Sequence, residues 1–186
     1  MSIRKVNMAR VLGFDISSST IGWCVIQFDE KSKQIKFVKC GYLKPIKSGT
    51  IIERIAHTRT KIKKIIEDVK PDYIGIEDLI KFMPKSTAST VIVLATFNRM
   101  ICLLAYDYLN KSPELLNVMT IRHGLKLNKQ FPKKEDMPEL VSNHLGIKFP
   151  YEYKKSGKPK EENCDMADGI AVALYYSYIL TGKIKK

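Results

Sequence analysis

VLGFDISSSTIG, residues 11–22, reads as the inner half of a β-hairpin. An apolar run, Val11 to Phe14, leads into Asp15. The small polar residues Ser17, Ser18, Ser19 and Thr20 turn the chain, and a second apolar run follows from Ile21 to Phe28. Asp is depleted in strands. A buried carboxylate is costly unless it is paired or binds a metal. On this strand alone two readings stand level: Asp15 starts the turn, or it faces a cation.

The chain has 186 residues, 45% of them hydrophobic, enough for a single domain (1–186) with a substantial core. Lys and Arg number 32 against 19 Asp and Glu, a net charge of +13. Such a balance suits a polyanion partner, nucleic acid being the commonest. Of the four cysteines, Cys24, Cys40, Cys102 and Cys164, no two form a CxxC pair, which argues against a zinc site. Cys102 and Cys164 stand in apolar helical contexts and read as core residues. Without a signal-peptide pattern, a reducing, cytoplasmic compartment is expected. The most apolar segment, Val91–Tyr106, is interrupted by Asn98 and Arg99. It is shorter than the about 20 residues that span a bilayer, so no membrane partner is expected.

Taken in order, Met1–Arg10 is a basic, loose start with Arg4, Lys5 and Arg10. Strands are expected at Ala9–Ile16, Ile21–Phe28 and Gln34–Leu43, joined by short turns as an antiparallel meander. A helix from about Thr50 to Lys70 carries Ile51, Ile55, Ile62, Ile66 and Val69 on one stripe, with Lys61, Lys63 and Lys64 as a solvated face. Pro71 stops it. YIGIE, Tyr73–Glu77, is a short buried strand, parallel to its neighbour after a crossover helix. After the loop Leu79–Lys85, Ser86 or Thr87 caps a helix to about Asn110. This helix is apolar on nearly every side and needs two partners. One face covers the sheet, and the other suits a second copy of the chain. A fifth strand is expected at Leu115–Ile121, then a basic loop Arg122–Lys134, a helix Glu135–Leu145, a second basic loop Lys148–Lys160, and a last helix from Asn163 or Cys164 to Gly182.

Asp15 and Glu77 stand at strand ends, with Asp78 after Glu77, and Asp165 and Asp168 open the last helix in NCDMADGIAVALYY. The i, i+3 spacing puts Asp165 and Asp168 on one face, about 5–6 Å apart. Acids are common in a helix's first turn, so that pair alone says little. Strand four lying parallel to strand one brings Glu77 to Asp15, and a last helix crossing that edge adds the other two. Oxygens converging in this way suit hard cations, Mg²⁺ or Mn²⁺. Two such ions activate water and stabilise the leaving oxygen of a phosphodiester.

The order of these motifs resembles the RuvC family of Holliday-junction resolvases, in the RNase H-like superfamily. GFDISSSTIGW is similar to its first-strand motif, IGIED to its Glu motif, and DMADGIAVAL to its closing helix, a likeness running from about Val11 to Tyr176. The resemblance implies an α/β RNase H-like fold: a mixed five-stranded sheet, its first three strands antiparallel, flanked by helices on both faces. It implies a homodimeric, metal-dependent endodeoxyribonuclease that nicks opposed strands of a four-way junction, with two ions per site. Asp15 then bridges both ions, Glu77 and Asp168 hold one each, and Asp165 completes the set or orients water. FMPKS resembles the segment whose aromatic enters the opened junction, which makes Phe82 the candidate beside Lys85. Phe82 follows Glu77 by five residues, a two-residue insertion, and anchoring its own loop is the alternative. The basic loop implies DNA contacts from Arg122, Lys126, Lys129, Lys133 and Lys134, with Lys126 near the scissile phosphate.

His57, His123 and His144 lack ligand spacing and read as surface or helix-face residues. Tyr151 and Tyr153 among lysines either stack on bases or pack under their loop. Three other classes fit parts of the pattern. A sugar-kinase or actin-like ATPase shares the Asp-and-turn opening but needs two such domains. Another RNase H-like nuclease would act on branched DNA, flaps or RNA–DNA hybrids. A non-catalytic DNA-binding subunit would gain by losing the four acids.

Overall fold

The computed structural model describes residues 8–79, 87–127 and 129–185. Strands β1 (Met8–Ile16), β2 (Ile21–Asp29) and β3 (Ile35–Leu43) form the expected antiparallel meander. The turn between β1 and β2 is tied by Ser17, whose hydroxyl donates to the Thr20 carbonyl (2.7 Å) and accepts from the Thr20 amide (2.9 Å). Helix α1 (Ile51–Val69) starts at a reciprocal cap, Thr50 accepting from the Glu53 amide and Glu53 accepting from that of Thr50. It ends at Lys70 in the left-handed region, one residue before Pro71.

Strand β4 (Tyr73–Glu77) runs parallel to β1, Phe14 opposite Ile76. Helix α2 (Ala88–Leu109) is capped by Thr87. It leads to β5, which is only Glu114–Leu116. The strand expected to run on to Ile121 stops because the Asn117 side chain accepts from the amides of Met119 (2.8 Å) and Thr120 (3.4 Å), nucleating helix α3 (Val118–Leu125). Arg122 therefore lies on a helix and not in the basic loop. A 3-10 turn, Lys134–Asp136, precedes α4 (Met137–Leu145), which begins two residues later than expected. The last helix, α5 (Glu162–Leu180), starts a residue early and stops short of Gly182.

The sheet order is β3-β2-β1-β4-β5. Period-two alternation splits its side chains between two cores. Leu12, Phe14, Ile16, Ile74 and Ile76 face α1 and α2, while Ala9, Val11, Cys24, Ile26 and Phe28 face α3, α4 and α5. Asp15 and Glu77 keep step with Val11 and Tyr73, so both point to the α5 side. The fully buried cysteine is Cys24; Cys102 and Cys164, expected in the core, are half-buried at the rims of α2 and α5.

Helix α2 is longer than its apolar segment suggested, 22 residues whose most apolar 18-residue window has a mean hydropathy of 1.7. By length and composition it could cross a membrane. In the fold, Phe97, Asn98, Ile101, Leu104 and Ala105 are buried, while Ile92 (65%), Leu103 (61%) and Tyr106 (48%) lie exposed.

Helix α5 lies on the sheet at backbone distance. A methyl on Gly22 would sit 1.9 Å from the Asp165 carbonyl oxygen, and one on Gly169 would sit 2.7 Å from the Gly22 carbonyl carbon. Gly22→Ala and Gly169→Ala are each expected to cost about 1–3 kcal/mol through overpacking and to displace the first turn of α5. Urea unfolding of both variants measures this, and unchanged midpoints would contradict the close approach.

Candidate active site

Three elements deliver four carboxylates to the same cleft of about 360 Å³. Asp15 comes from the end of β1, where it pairs with Gly22 across the hairpin. Glu77 ends β4, one residue beyond the last pair with β1. Asp165 and Asp168 come from the first two turns of α5. Ser17, Asp78, Leu94, Asn98, Met119, Arg122 and Lys134 also line it.

Like charges brought together in a low-dielectric cleft hold their protons more tightly. Asp15 is raised well above the ordinary carboxylate range, first by burial, then by Glu77 and Asp168. Glu77 is pushed up to about 7, by burial and then by Asp168, and its carboxylate hydrogen-bonds the carboxyl of Asp15. Asp168 is raised by burial, which outweighs the opposing pull of Arg122. Part of the Asp15 residue surface stays open to the cleft, but protein atoms crowd its carboxyl.

Two cations answer this charge. Lys134 Nζ donates to Asp165 Oδ1 at 2.7 Å, and Arg122 Nη2 lies 3.4 Å from Asp168 Oδ1. The Lys134 ammonium, reaching in from the 3-10 turn, is the structure's own stand-in for a metal cation among these acids. In this arrangement no three His, Cys, Asp or Glu side chains of the described residues stand close enough to ligate one ion. The donor set itself, all carboxylate oxygens, fits a hard divalent cation. A cation held by Asp165 and Asp168 would take the place of their contacts with Lys134 and Arg122.

The sequence profile of the family described as "Crossover junction endodeoxyribonuclease RuvC" matches residues 11–121. This chain belongs to the RuvC family. The RuvC protein of Endomicrobium trichonymphae is 31% identical over 165 residues, covering 88% of this chain and 78% of that one. That of Fusobacterium nucleatum is 26% identical over 175 residues, covering 94% and 83%. Among solved structures, Thermus thermophilus RuvC in complex with a Holliday junction substrate superposes with a TM-score of 0.70 at 15% identity, over 91% of this chain and 94% of that one. The yeast mitochondrial Holliday junction resolvase Ydc2 gives 0.66 at 16%, over 94% and 80%. The RNase H-like fold expected from the motifs is therefore the fold of this RuvC chain.

The other residues singled out in the sequence fall in different places. Lys126 faces His123, its Nζ 3.1 Å from Nε2, and does not line the acid cleft. Lys129 and Lys133 are exposed on the connection to the 3-10 turn. Phe82 and Lys85 lie outside the described residues. Sequence reading passed over Asn98, noting it only as an interruption of an apolar segment. It is 1% exposed and donates its Nδ2–H to the Glu77 carbonyl at 2.9 Å, fixing the end of β4. A single amide inside an otherwise apolar helix was the available signal. His144 is a structural residue, its ring between the Tyr178 hydroxyl (3.0 Å) and the Leu125 carbonyl (2.6 Å).

Glu77 binds its proton more tightly in the folded protein than in the unfolded chain. Stability therefore falls as pH rises from about 4.5 to about 7. The ceiling on this one group's contribution is about 3 kcal/mol. In metal-free buffer, Glu77→Gln should flatten the decline in urea midpoint between pH 5 and pH 8. A parallel decline in wild type and variant would remove Glu77 from the clustered charge.

Proposed function

We propose that this chain resolves four-way DNA junctions by paired, metal-dependent nicks in opposed strands. The observation that carries the reading is the convergence of Asp15, Glu77, Asp165 and Asp168 on one cleft, in a RuvC-family chain of net charge +13. Family membership brings the metal-dependent crossover junction endodeoxyribonuclease activity. The residue roles, the number of ions and the dimer are inferred here.

Asp15, facing both Glu77 and Asp168, would be a ligand common to two ions, Glu77 and Asp168 would hold one each, and Asp165 would complete the set or orient the attacking water. When bound, Mg²⁺ or Mn²⁺ supplies Lewis-acid stabilisation of the phosphodiester and a water that ionises near neutral pH. The ordering of the carboxyls is the work of the protein. Asn98 fixes Glu77 through its backbone, and the Gly22–Gly169 contact fixes α5. Lys134, once parted from Asp165, has its ammonium at the cleft to meet a phosphate oxygen, and Arg122 offsets part of the burial that raises the proton affinity of Asp168. Binding rests on phosphates and on DNA shape more than on base edges.

Ile92, Leu103 and Tyr106 lie exposed on one face of α2, with Arg99 between Ile92 and Leu103. That face supports a C2 dimer that offers two equivalent sites to a near-twofold junction. Four free cysteines support a reducing compartment.

With Mg²⁺ and a labelled mobile junction, wild type should make symmetric paired nicks. Asp15→Asn should retain junction binding while cutting falls by on the order of 10³-fold. Equal cutting of an RNA–DNA hybrid would favour a different RNase H-like substrate, and cutting undiminished in Asp15→Asn would overturn the site. Leu103→Glu should halve the sedimenting mass at micromolar concentration and uncouple the two nicks; an unchanged mass would exclude α2 as the interface.

A further inference from the structure

The segment between α4 and α5 is a built element that the cleavage chemistry does not use. Residues 148–160 hold five lysines, Lys148, Lys154, Lys155, Lys158 and Lys160, against one acid, Glu152. They fold as a small hairpin. Tyr153 bridges Pro159, the Lys154 amide donates to the Lys158 carbonyl (2.8 Å), and the Lys160 amide donates to that of Glu152 (2.9 Å). Gly157, at φ +78°, makes the tip.

Its base is pinned to the catalytic framework. Asn163, 1% exposed, holds Glu152 at both ends, accepting from its amide (2.9 Å) and donating to its carbonyl (2.8 Å). Lys160 Nζ donates to Glu152 Oε2 (2.6 Å), and Tyr42 of β3 donates to the same oxygen (2.9 Å). Asn163 stands two residues before Asp165. The hairpin is thus set at a fixed place relative to the acids.

Between it and the acid cleft runs a groove of about 550 Å³, with Thr20, Lys44 and Lys47 on its walls and Lys134 and Asp165 shared with the cleft. Glu161 and Glu162, at the hairpin's foot, border the groove. Lys154 and Lys160 are spent on Glu161 and Glu152. Lys155 and Lys158, beside the tip, are exposed and have no ion pair among the described residues.

Resting on the junction-nuclease reading above, we infer that this hairpin grips the sugar-phosphate backbone of a duplex arm as it leaves the cleavage site. Phosphate is the ligand that two exposed ammonium groups on a stiff turn recognise without reading sequence. Phe149 and Tyr151 rings meet at 58° and those of Tyr151 and Tyr153 at 42°, so the three rings pack in series along the hairpin's base while Tyr153 stays 56% exposed.

The test is equilibrium binding of the full-length protein, with Ca²⁺ present to block cutting, to junctions whose arms are shortened in steps. On long arms, Lys155→Ala/Lys158→Ala should lower the slope of log affinity against log salt by about 2 and weaken binding about tenfold at physiological salt. The difference from wild type should vanish once the arms are too short to reach the hairpin. Equal slopes on long arms, or an equal loss on the shortest arms, would overturn the proposal. So would a loss from Tyr153→Ala confined to junctions with unpaired bases, which would make the element a stacking site. Failure of wild type to prefer a junction over linear duplex would instead strike the function proposed above, so the two failures are distinguishable.

Discussion

Helix α5 rests on the β1–β2 hairpin where Gly22 meets Gly169, with no side chain between the two backbones. That contact sets the distance from the helix's first two turns to the end of β1. Were either residue larger, α5 would stand off the sheet, and Asp165 and Asp168 would no longer share a cleft with Asp15 and Glu77. The fold spends its closest packing where it brings four like charges together. It does so against their repulsion, which shows in the raised proton affinities of Asp15, Glu77 and Asp168. A structure that concentrates negative charge in an otherwise cationic chain is arranged to receive positive charge.

Two kinds of positive charge compete for the place. Lys134 and Arg122 take it internally, one acid of α5 each. The Lys134–Asp165 pair is partly open to the cleft, where solvent screening keeps it modest, whereas Arg122–Asp168 is mostly buried. The Lys134 pair is the more readily exchanged, and a divalent ion held by Asp165 would free Lys134 for the substrate. Lys134 and Arg122 offset part of the repulsion among the four acids.

Much of this was legible in the chain. Two apolar runs joined by the polar turn Ser17–Thr20 marked the hairpin that carries Asp15, and a long amphipathic helix ended by Pro71 made YIGIE a parallel strand. The i, i+3 spacing of Asp165 and Asp168 placed them together on the last helix. What stayed hidden depended on single side chains acting through the backbone. Asn117 ends β5 and starts α3, a decision that strand propensity in Leu115–Ile121 does not register. That in turn moved Arg122 from a loop to a helix packed against α5. Lys134 reached the acids through a 3-10 turn whose direction no periodicity encodes, whereas Lys126, nearer in expectation, faces His123. Asn98 was visible only as a flaw in an apolar run. Gly22 and Gly169 are ordinary residues in the sequence, and their meaning appears only when the two are opposite each other.

Titrating Mn²⁺ into the protein bound to an uncleavable junction, and counting the bound ions by paramagnetic resonance, tests whether the four carboxylates form a divalent-cation site. Two ions per chain are expected, with a clear loss of stoichiometry in Asp15→Asn. Absence of saturable binding, or the same count with Asp15 replaced, would contradict such a site.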